Sequence, residues 1–302
     1  MRKIVLLSII LSLFFLGCHK DGVYNPKEKI KRIYTQYPGE TKNLWQEWTW
    51  NKMLLTKIEC FSENISDGHR LFIYEKKRLV KIETSWGDYI NIKYDGRNFD
   101  KIEGFYSDGQ TSFTMKFTHD KNKISKIEVI NYLYNNDESK SKRDIVSIIE
   151  PLFPTEFKQS MNKIKSNMKN KGINTRKSTT SFIYDGENIK EMRIEECRSD
   201  YYCCDIYTYI KYDKKSNPKY HFIYGNSEDN YNGMGVTSKN NPLEVKNIWQ
   251  ENTTDEYKGI YTGSRTITYD YKYNGKFPVE VNQIVRWDDG ENYQYTTFYE
   301  YE

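Results

Sequence analysis

A ten-residue unit recurs along this chain, and it constrains the fold more than any other feature. The copy closest to the repeat pattern is Tyr94-Asp95-Gly96-Arg97-Asn98-Phe99-Asp100-Lys101-Ile102-Glu103. Tyr94 ends one run of alternating polarity, and Asp95-Gly96 begins a turn. Asp accepts hydrogen bonds from the backbone just ahead of it, and Gly tolerates a positive φ. The unit therefore predicts a β-hairpin.

Seven copies of the unit agree at four positions. A polar turn residue follows each anchor, and an apolar residue lies two places before it and eight places after it. Pro242 and Val245 mark a partial copy that matches Pro278 and Val281, and Tyr299 with Tyr301 forms a final half unit. The anchors are Trp50, Tyr74, Tyr94, His119, Tyr184, Tyr212 and Tyr273.

Polarity alternates with period two on both sides of these turns, which is typical of antiparallel sheets with one wet face. The return runs repeat a Lys-x-Glu pair at Lys57/Glu59, Lys81/Glu83, Lys101/Glu103 and Lys126/Glu128. The fold is thus predicted as mainly β, a meander of fifteen to seventeen strands of five to eight residues. An open sheet of that width exposes its edges, so we expect closure into a barrel or curling into a half-barrel.

Two insertions interrupt the predicted single domain over residues 29–302. Residues 142–172 are predicted to form two helices, because Phe157, Met161, Ile164 and Met168 recur at helical spacing. Residues 225–241 are rich in Gly, Asn and Ser and predict a long exposed loop.

Residues 1–17 are predicted to be a signal peptide, with Arg2-Lys3 ahead of an apolar stretch too short to span a bilayer. The ending Phe15-Leu16-Gly17-Cys18 resembles the lipobox of bacterial lipoproteins, which implies lipidation of Cys18. The alternative is an ordinary secretory leader with an incidental cysteine. Residues 18–28 then form a polar tether to a membrane of the cell envelope, in an undetermined leaflet.

The aromatic-x-Tyr-Asp-Gly turns, with Lys-Ile-Glu behind them, resemble YD-repeat β-hairpins. Together with the lipobox-like ending, they resemble a group of uncharacterised bacterial lipoproteins. That resemblance implies a porin-like, many-stranded fold, and it implies no catalytic residues.

Four further cysteines are compatible with two disulfides in an exported chain, and three pairings are open. Cys197 lies across a predicted hairpin tip from Cys203-Cys204, and Cys60 would pair with the remaining one. Free buried thiols are the alternative.

No catalytic, cofactor or metal-ligand motif is present in the sequence. His119 occupies an anchor, which favours a core position over a base. The net charge of +4 gives no electrostatic case for nucleic acid.

Clustered aromatic residues are the strongest candidates for a binding site, because rings with polar rims stack on sugars or line apolar cavities. The alternative is that they only hold a wide sheet together. The candidates are Trp45, Trp48, Trp50, Tyr269, Tyr271 and Tyr273.

Three functions follow as hypotheses. The first is a lipid-anchored, noncatalytic protein that binds a glycan, an apolar ligand or a partner in the envelope. The second is a structural or assembly protein that docks other envelope proteins, and the third is a hydrolase with an acid-based site.

Overall fold

The computed structural model describes residues 24, 26–121, 123–132, 175–197, 201–218, 238–253 and 259–302. Within these residues sixteen strands pair antiparallel in chain order, and the last pairs with the first, so that the sheet closes into a barrel. The strands are β1 (Ile30–Gln36), β2 (Asn43–Asn51), β3 (Leu54–Ser62), β4 (Ile65–Glu75), β5 (Arg78–Thr84), β6 (Tyr89–Asp95), β7 (Asn98–Phe105), β8 (Thr111–Asp120), β9 (Lys123–Tyr132), β10 (Thr175–Asp185), β11 (Asn188–Cys197), β12 (Tyr201–Ser216), β13 (Asn240–Thr253), β14 (Gly259–Asn274), β15 (Phe277–Trp287) and β16 (Asn292–Tyr301).

The predicted antiparallel meander and its number of strands are confirmed. The predicted strand length of five to eight residues is wrong, since the strands have 7 to 16 residues. In a closed barrel every strand has a neighbour on both sides, so pairing continues past the point where the sequence pattern weakens. The strands β12 to β14, with 16, 14 and 16 residues, show this most clearly.

The barrel has two distinct ends. The turn end carries the tight hairpin turns that follow the anchors, and the ends of β12 and β13 that their connection joins. The start of β1 and the end of β16 also lie there, and the Glu302 amide donates a hydrogen bond to the Lys29 carbonyl at 2.9 Å. At the loop end lie the described connections 37–42, 63–64, 85–88, 106–110 and 288–291.

The two faces of the wall follow the predicted alternation. Apolar side chains point into the barrel and are almost completely buried, as with Ile58, Ile82 and Ile102 at 0–1% exposure. The Lys-x-Glu pairs point outward and form ion pairs, with 2.6 Å between Lys81 and Glu83 and 2.9 Å between Lys126 and Glu128. Opposite charges of this exposed kind contribute only tenths of a kcal/mol, roughly up to 1.

The predicted helices at 142–172 lie outside the described residues, as do the signal peptide and Cys18. The predicted loop 225–241 ends too late, because β13 begins at Asn240, which pairs with Ser216. No helix among the described residues has the length and apolarity needed to cross a bilayer.

Candidate functional site

The anchor tyrosines form a hydrogen-bonded ladder at the turn end. The hydroxyl of Tyr184 donates to the Ile124 carbonyl at 2.8 Å, and that of Tyr301 donates to the Pro278 carbonyl at 2.8 Å. The hydroxyls of Tyr94 and Tyr212 donate hydrogen bonds in the same way to the carbonyls of Leu79 and Ile189, respectively. In each of these four cases the acceptor lies five residues after the preceding anchor, so these four units are bonded to the previous one through a tyrosine.

A basic side chain covers several of these rings. The Arg78 guanidinium lies 3.4 Å from the centre of the Tyr94 ring and donates to the Gly96 and Arg97 carbonyls at 2.7 Å each. Lys215 lies 5.5 Å from the Tyr273 ring and donates to the Gly275 carbonyl at 3.1 Å. Cation–π contact and hydrogen bonds together hold the turn of one unit against the next.

Polar side chains fasten both ends of the long connection between β12 and β13. The amides of Asn188 and Asn240 bond to each other at 3.1 Å, and Asn240 also donates to the Lys215 carbonyl at 2.9 Å. Asp213 accepts from Asn241 at 3.1 Å and from the Tyr273 hydroxyl. This connection therefore starts and ends on a rigid base.

A small pocket of about 20 Å³, with room for about one water molecule, lies beside this base inside the turn-end mouth. Tyr271 and Tyr299 bring aromatic rings to it, and Asn217 and Asn241 bring amides. Its full lining is Asn217, Pro218, Asn241, Pro242, Tyr271, Pro278, Val281 and Tyr299. The Tyr271 side chain makes no hydrogen bond to any described residue, and burial raises the pKa of its hydroxyl. Two aromatic rings and two amides are groups that recognise a ring-shaped ligand, but such a ligand fits here only after the lining opens.

Tyr24 occupies the middle of the same mouth, although it belongs to the segment predicted as a tether. Its side chain is 7% exposed, and its hydroxyl donates to the Pro218 carbonyl at 2.8 Å. Its ring centre lies 5.8 Å from that of Trp50. Burial raises the pKa of Tyr24 well above its ordinary value.

The aromatic candidates divide into two groups by depth. Trp45, Trp48 and Tyr269 are 4–5% exposed. Trp50, Tyr271 and Tyr273 are half-buried at the turn-end mouth, where the Tyr271 ring stacks on the rings of Tyr269 at 6.1 Å and Tyr273 at 5.8 Å. Only Tyr271 of the six reaches the pocket.

The cysteine candidates lie away from the pocket. Cys60, Cys203 and Cys204 are free thiols, and the side chain of Cys197 lies outside the described residues. Cys60 accepts a hydrogen bond from the Arg70 guanidinium at 2.5 Å, and burial raises the pKa of its thiol. The disulfide pairings stay predictions.

Sequence reasoning missed most of the pocket. Asn217 and Pro218 follow strand β12, which no sequence pattern predicted to extend so far, and they come close to Tyr271 because β12, β13 and β14 are neighbours in the sheet. The match of Pro242 with Pro278 was the available signal. In the structure Tyr212 pairs with Pro242 and Tyr273 pairs with Pro278, so the two prolines line the pocket from equivalent positions.

No protein-family model matches the chain, and no curated protein sequence matches it either. A porin-like protein from Bacteroides uniformis ATCC 8492 is 11% identical and superposes with a TM-score of 0.52, over 94% of this chain and 100% of that one. A porin-like protein from Bacteroides vulgatus ATCC 8482 is 9% identical with a TM-score of 0.49, over 91% and 99% of the two chains. The first similarity supports the predicted porin-like, many-stranded fold, while membership of a lipoprotein family stays a prediction.

Proposed function

We propose that this protein is a lipid-anchored, noncatalytic binding protein of the cell envelope, whose ligand enters the turn-end pocket. The observation that carries the proposal is the juxtaposition of Tyr271, Tyr299 and the amides of Asn217 and Asn241 around one pocket. The pocket sits on a base fixed by many hydrogen bonds, and its lining must open further to admit a ligand larger than water.

The two faces of the wall support a binding role over a pore. A membrane-spanning barrel carries an apolar band about 25 Å tall on its outside and a polar interior. Here the outer face carries ion pairs such as Lys81–Glu83 and Arg193–Glu195 at mid-wall. The inner face is largely apolar, although it also buries charged side chains such as Arg70, Glu251 and Arg265. An outer wall of this kind suits water, with the membrane reached through a lipid on Cys18.

The composition of the pocket favours a carbohydrate ring or a small apolar ring. A sugar presents one apolar face, which stacks on tyrosine, and hydroxyls, which bond to amides and to a phenol. The described pocket is lined by no carboxylate, so the hydrolase hypothesis finds no acid pair there.

Binding is tested with the chain from residue 18 onward carrying Cys18→Ser, which retains all sixteen strands. Glycan arrays and lipid extracts serve as probes, followed by calorimetry on any ligand found. We expect Tyr271→Ala to weaken binding at least about tenfold, which corresponds to the loss of roughly 1.4 kcal/mol. Tyr261→Ala is the matched control, since Tyr261 is 52% exposed and lies outside the pocket. Absence of binding to all probes, or equal losses in both variants, would contradict the proposal.

Anchoring has a separate test in cells that export the chain. After a high-salt wash, which removes attachment by charge alone, Cys18→Ser should move the protein from the membrane fraction to the soluble fraction, because the covalent lipid is the proposed attachment that salt does not break. Retention of the variant in membranes would refute lipidation as the anchor.

A further inference from the structure

The turn end of the barrel carries an excess of positive charge. The turn end comprises the four residues after each anchor, together with Lys239, residues 27–29 and Glu302. Thirteen basic residues lie there: Lys27, Lys29, Lys52, Lys76, Lys77, Arg78, Arg97, Lys121, Lys123, Lys214, Lys215, Lys239 and Lys276. Eight acids oppose them: Glu28, Glu75, Asp95, Asp120, Asp185, Glu187, Asp213 and Glu302. The net charge of this basic rim is therefore +5.

The described connections at the loop end have the opposite sign. Lys42 is their one basic residue, against seven acids. These are Glu40, Glu63, Asp88, Asp108, Asp288, Asp289 and Glu291. The described barrel is thus polarised along its axis, with a basic turn end and an acidic loop end.

Four of the rim lysines occupy backbone positions that lysine disfavours. Lys52, Lys76, Lys77 and Lys121 have φ of 55°, 48°, 65° and 49°. A left-handed residue with a side chain costs about 1–2 kcal/mol, and Gly avoids that cost. Gly96, Gly186 and Gly275 fill left-handed turn positions in other copies. Lysine at these tips therefore weakens the fold, so its use points to a need for charge at the turn end.

These four lysines are also available to a partner. All four are exposed. Within the part of the chain that the structure describes, none of their ammonium groups has a hydrogen bond, an ion pair or a ring contact. The charges of these four lysines make no stabilising contact within the described barrel, so they are available to interact with a partner outside it.

The tether leaves from the same end of the barrel. Tyr24 is held in the turn-end mouth by its bond to the Pro218 carbonyl. Six residues separate it from Cys18, and an extended chain of that length reaches about 20 Å. A lipid on Cys18 would therefore hold the turn end, and not the loop end, near the membrane.

We propose that the basic rim docks on anionic phosphate headgroups of the membrane to which the chain is tethered. The inference rests on the proposed lipid attachment for its orientation, while the affinity of the rim for anionic lipid is independent of it. Docking fixes the barrel upright with its acidic loop end away from the surface. The pocket around Tyr271 then faces the headgroups, so a ligand carried by a lipid reaches it directly.

The test uses the chain from residue 18 onward with Cys18→Ser, so that no covalent lipid contributes. Co-sedimentation is measured with vesicles of phosphatidylcholine alone and with vesicles that contain about one third phosphatidylglycerol, an anionic lipid, each at low and at high salt. We expect binding to the anionic vesicles only, and its loss at high salt because the rim charges are exposed.

Charge-reversal variants locate the surface that binds. Arg97→Glu, Lys214→Glu and Lys276→Glu together reverse three exposed rim charges. Each basic residue near an anionic surface strengthens binding about fivefold, so the triple variant should bind at least about 100-fold more weakly. The matched control, Lys116→Glu with Lys246→Glu and Arg286→Glu, reverses three exposed charges on the strands of the wall.

Two results would overturn the docking proposal. One is failure of the parent chain to bind anionic vesicles at low salt. The other is an equal loss in the rim and wall variants, which would indicate attraction by net charge alone. Circular dichroism of each variant establishes that the barrel has folded. Neither result depends on Cys18 lipidation or on ligand binding at Tyr271, which have their own tests.

Discussion

Several aromatic side chains at the turn end pack against neighbouring rings and also donate a hydrogen bond to a backbone carbonyl. The Tyr301 ring stacks near that of Tyr299, with 6.4 Å between ring centres, while its hydroxyl reaches Pro278 on the neighbouring strand. Phenylalanine would preserve the packing and remove the bond. This explains why tyrosine is the commonest anchor of the repeat, and why Trp50 is a workable substitute: its indole N–H donates to the Ile30 carbonyl at 2.8 Å.

Tyr301→Phe measures how much one hydrogen bond of the tyrosine ladder contributes to the stability of the fold. We expect the free energy of unfolding to fall by about 1–3 kcal/mol, because the Pro278 carbonyl loses its donor in a partly buried site. Denaturant unfolding followed by circular dichroism measures it. Tyr261→Phe, at a residue that is 52% exposed, should change stability by no more than about 0.5 kcal/mol. Equal effects of the two substitutions would show that the Tyr301 hydrogen bond does not stabilise the fold.

At the scale of strands, aromatic rings on one strand lie over glycines on the next. Gly104 on β7 pairs with Phe113 on β8, and Gly263 on β14 pairs with Trp249 on β13. A Cβ added at Gly104 would lie 1.9 Å from the Phe113 ring, and one at Gly263 would lie 1.9 Å from the Trp249 ring. Small and large residues therefore interlock across the strands and help to fix their register.

Gly104→Ala should destabilise the barrel by about 1–3 kcal/mol, since the Phe113 ring must move within a buried site. Thermal and denaturant unfolding measure the loss. The double variant Gly104→Ala with Phe113→Leu completes a mutant cycle, in which the smaller side chain leaves room for the new methyl group. The summed single effects should exceed the effect of the double variant. Strict additivity would show that the two residues do not share the space.

At the scale of the whole molecule, closure of the barrel buries phenols that are far apart in sequence. Burial raises the pKa of Tyr24, Tyr74, Tyr271, Tyr273 and Tyr301 above the ordinary value. The folded barrel therefore keeps protons that the unfolded chain gives up near pH 10. The stabilisation that these buried, protonated phenols provide is fully present below about pH 10 and is lost as the pH rises further.

Melting temperatures measured from pH 8 to pH 12 check this expectation. They should decline above about pH 10, and phenolate absorbance at 295 nm from these residues should appear together with unfolding. Tyr271→Phe removes one such proton, so its stability should fall less steeply with pH than that of the parent chain. Identical slopes for the two chains would mean that Tyr271 ionises as readily in the barrel as in the unfolded chain.

The repeat alone determined the hairpins, their wet and dry faces and the need to close the sheet. These properties follow from local rules, since turn chemistry and period-two alternation act over about ten residues. It also placed Tyr271 among the binding candidates and matched Pro242 with Pro278. The sequence gives no comparable pattern for how far β12 and β14 extend, because strand length is set by neighbours on both sides.

Only the tertiary structure decided which aromatics line a pocket and which fill the wall. Trp45 and Tyr271 are similar as sequence signals, yet the first is buried in the wall and the second reaches the turn-end mouth. The meander order places the turn lysines on one rim, and the closed barrel brings Tyr24 beside Pro218, 194 residues away in sequence. Which residues meet around a barrel depends on closure between its first and last strands, and that contact is the least local one in the chain.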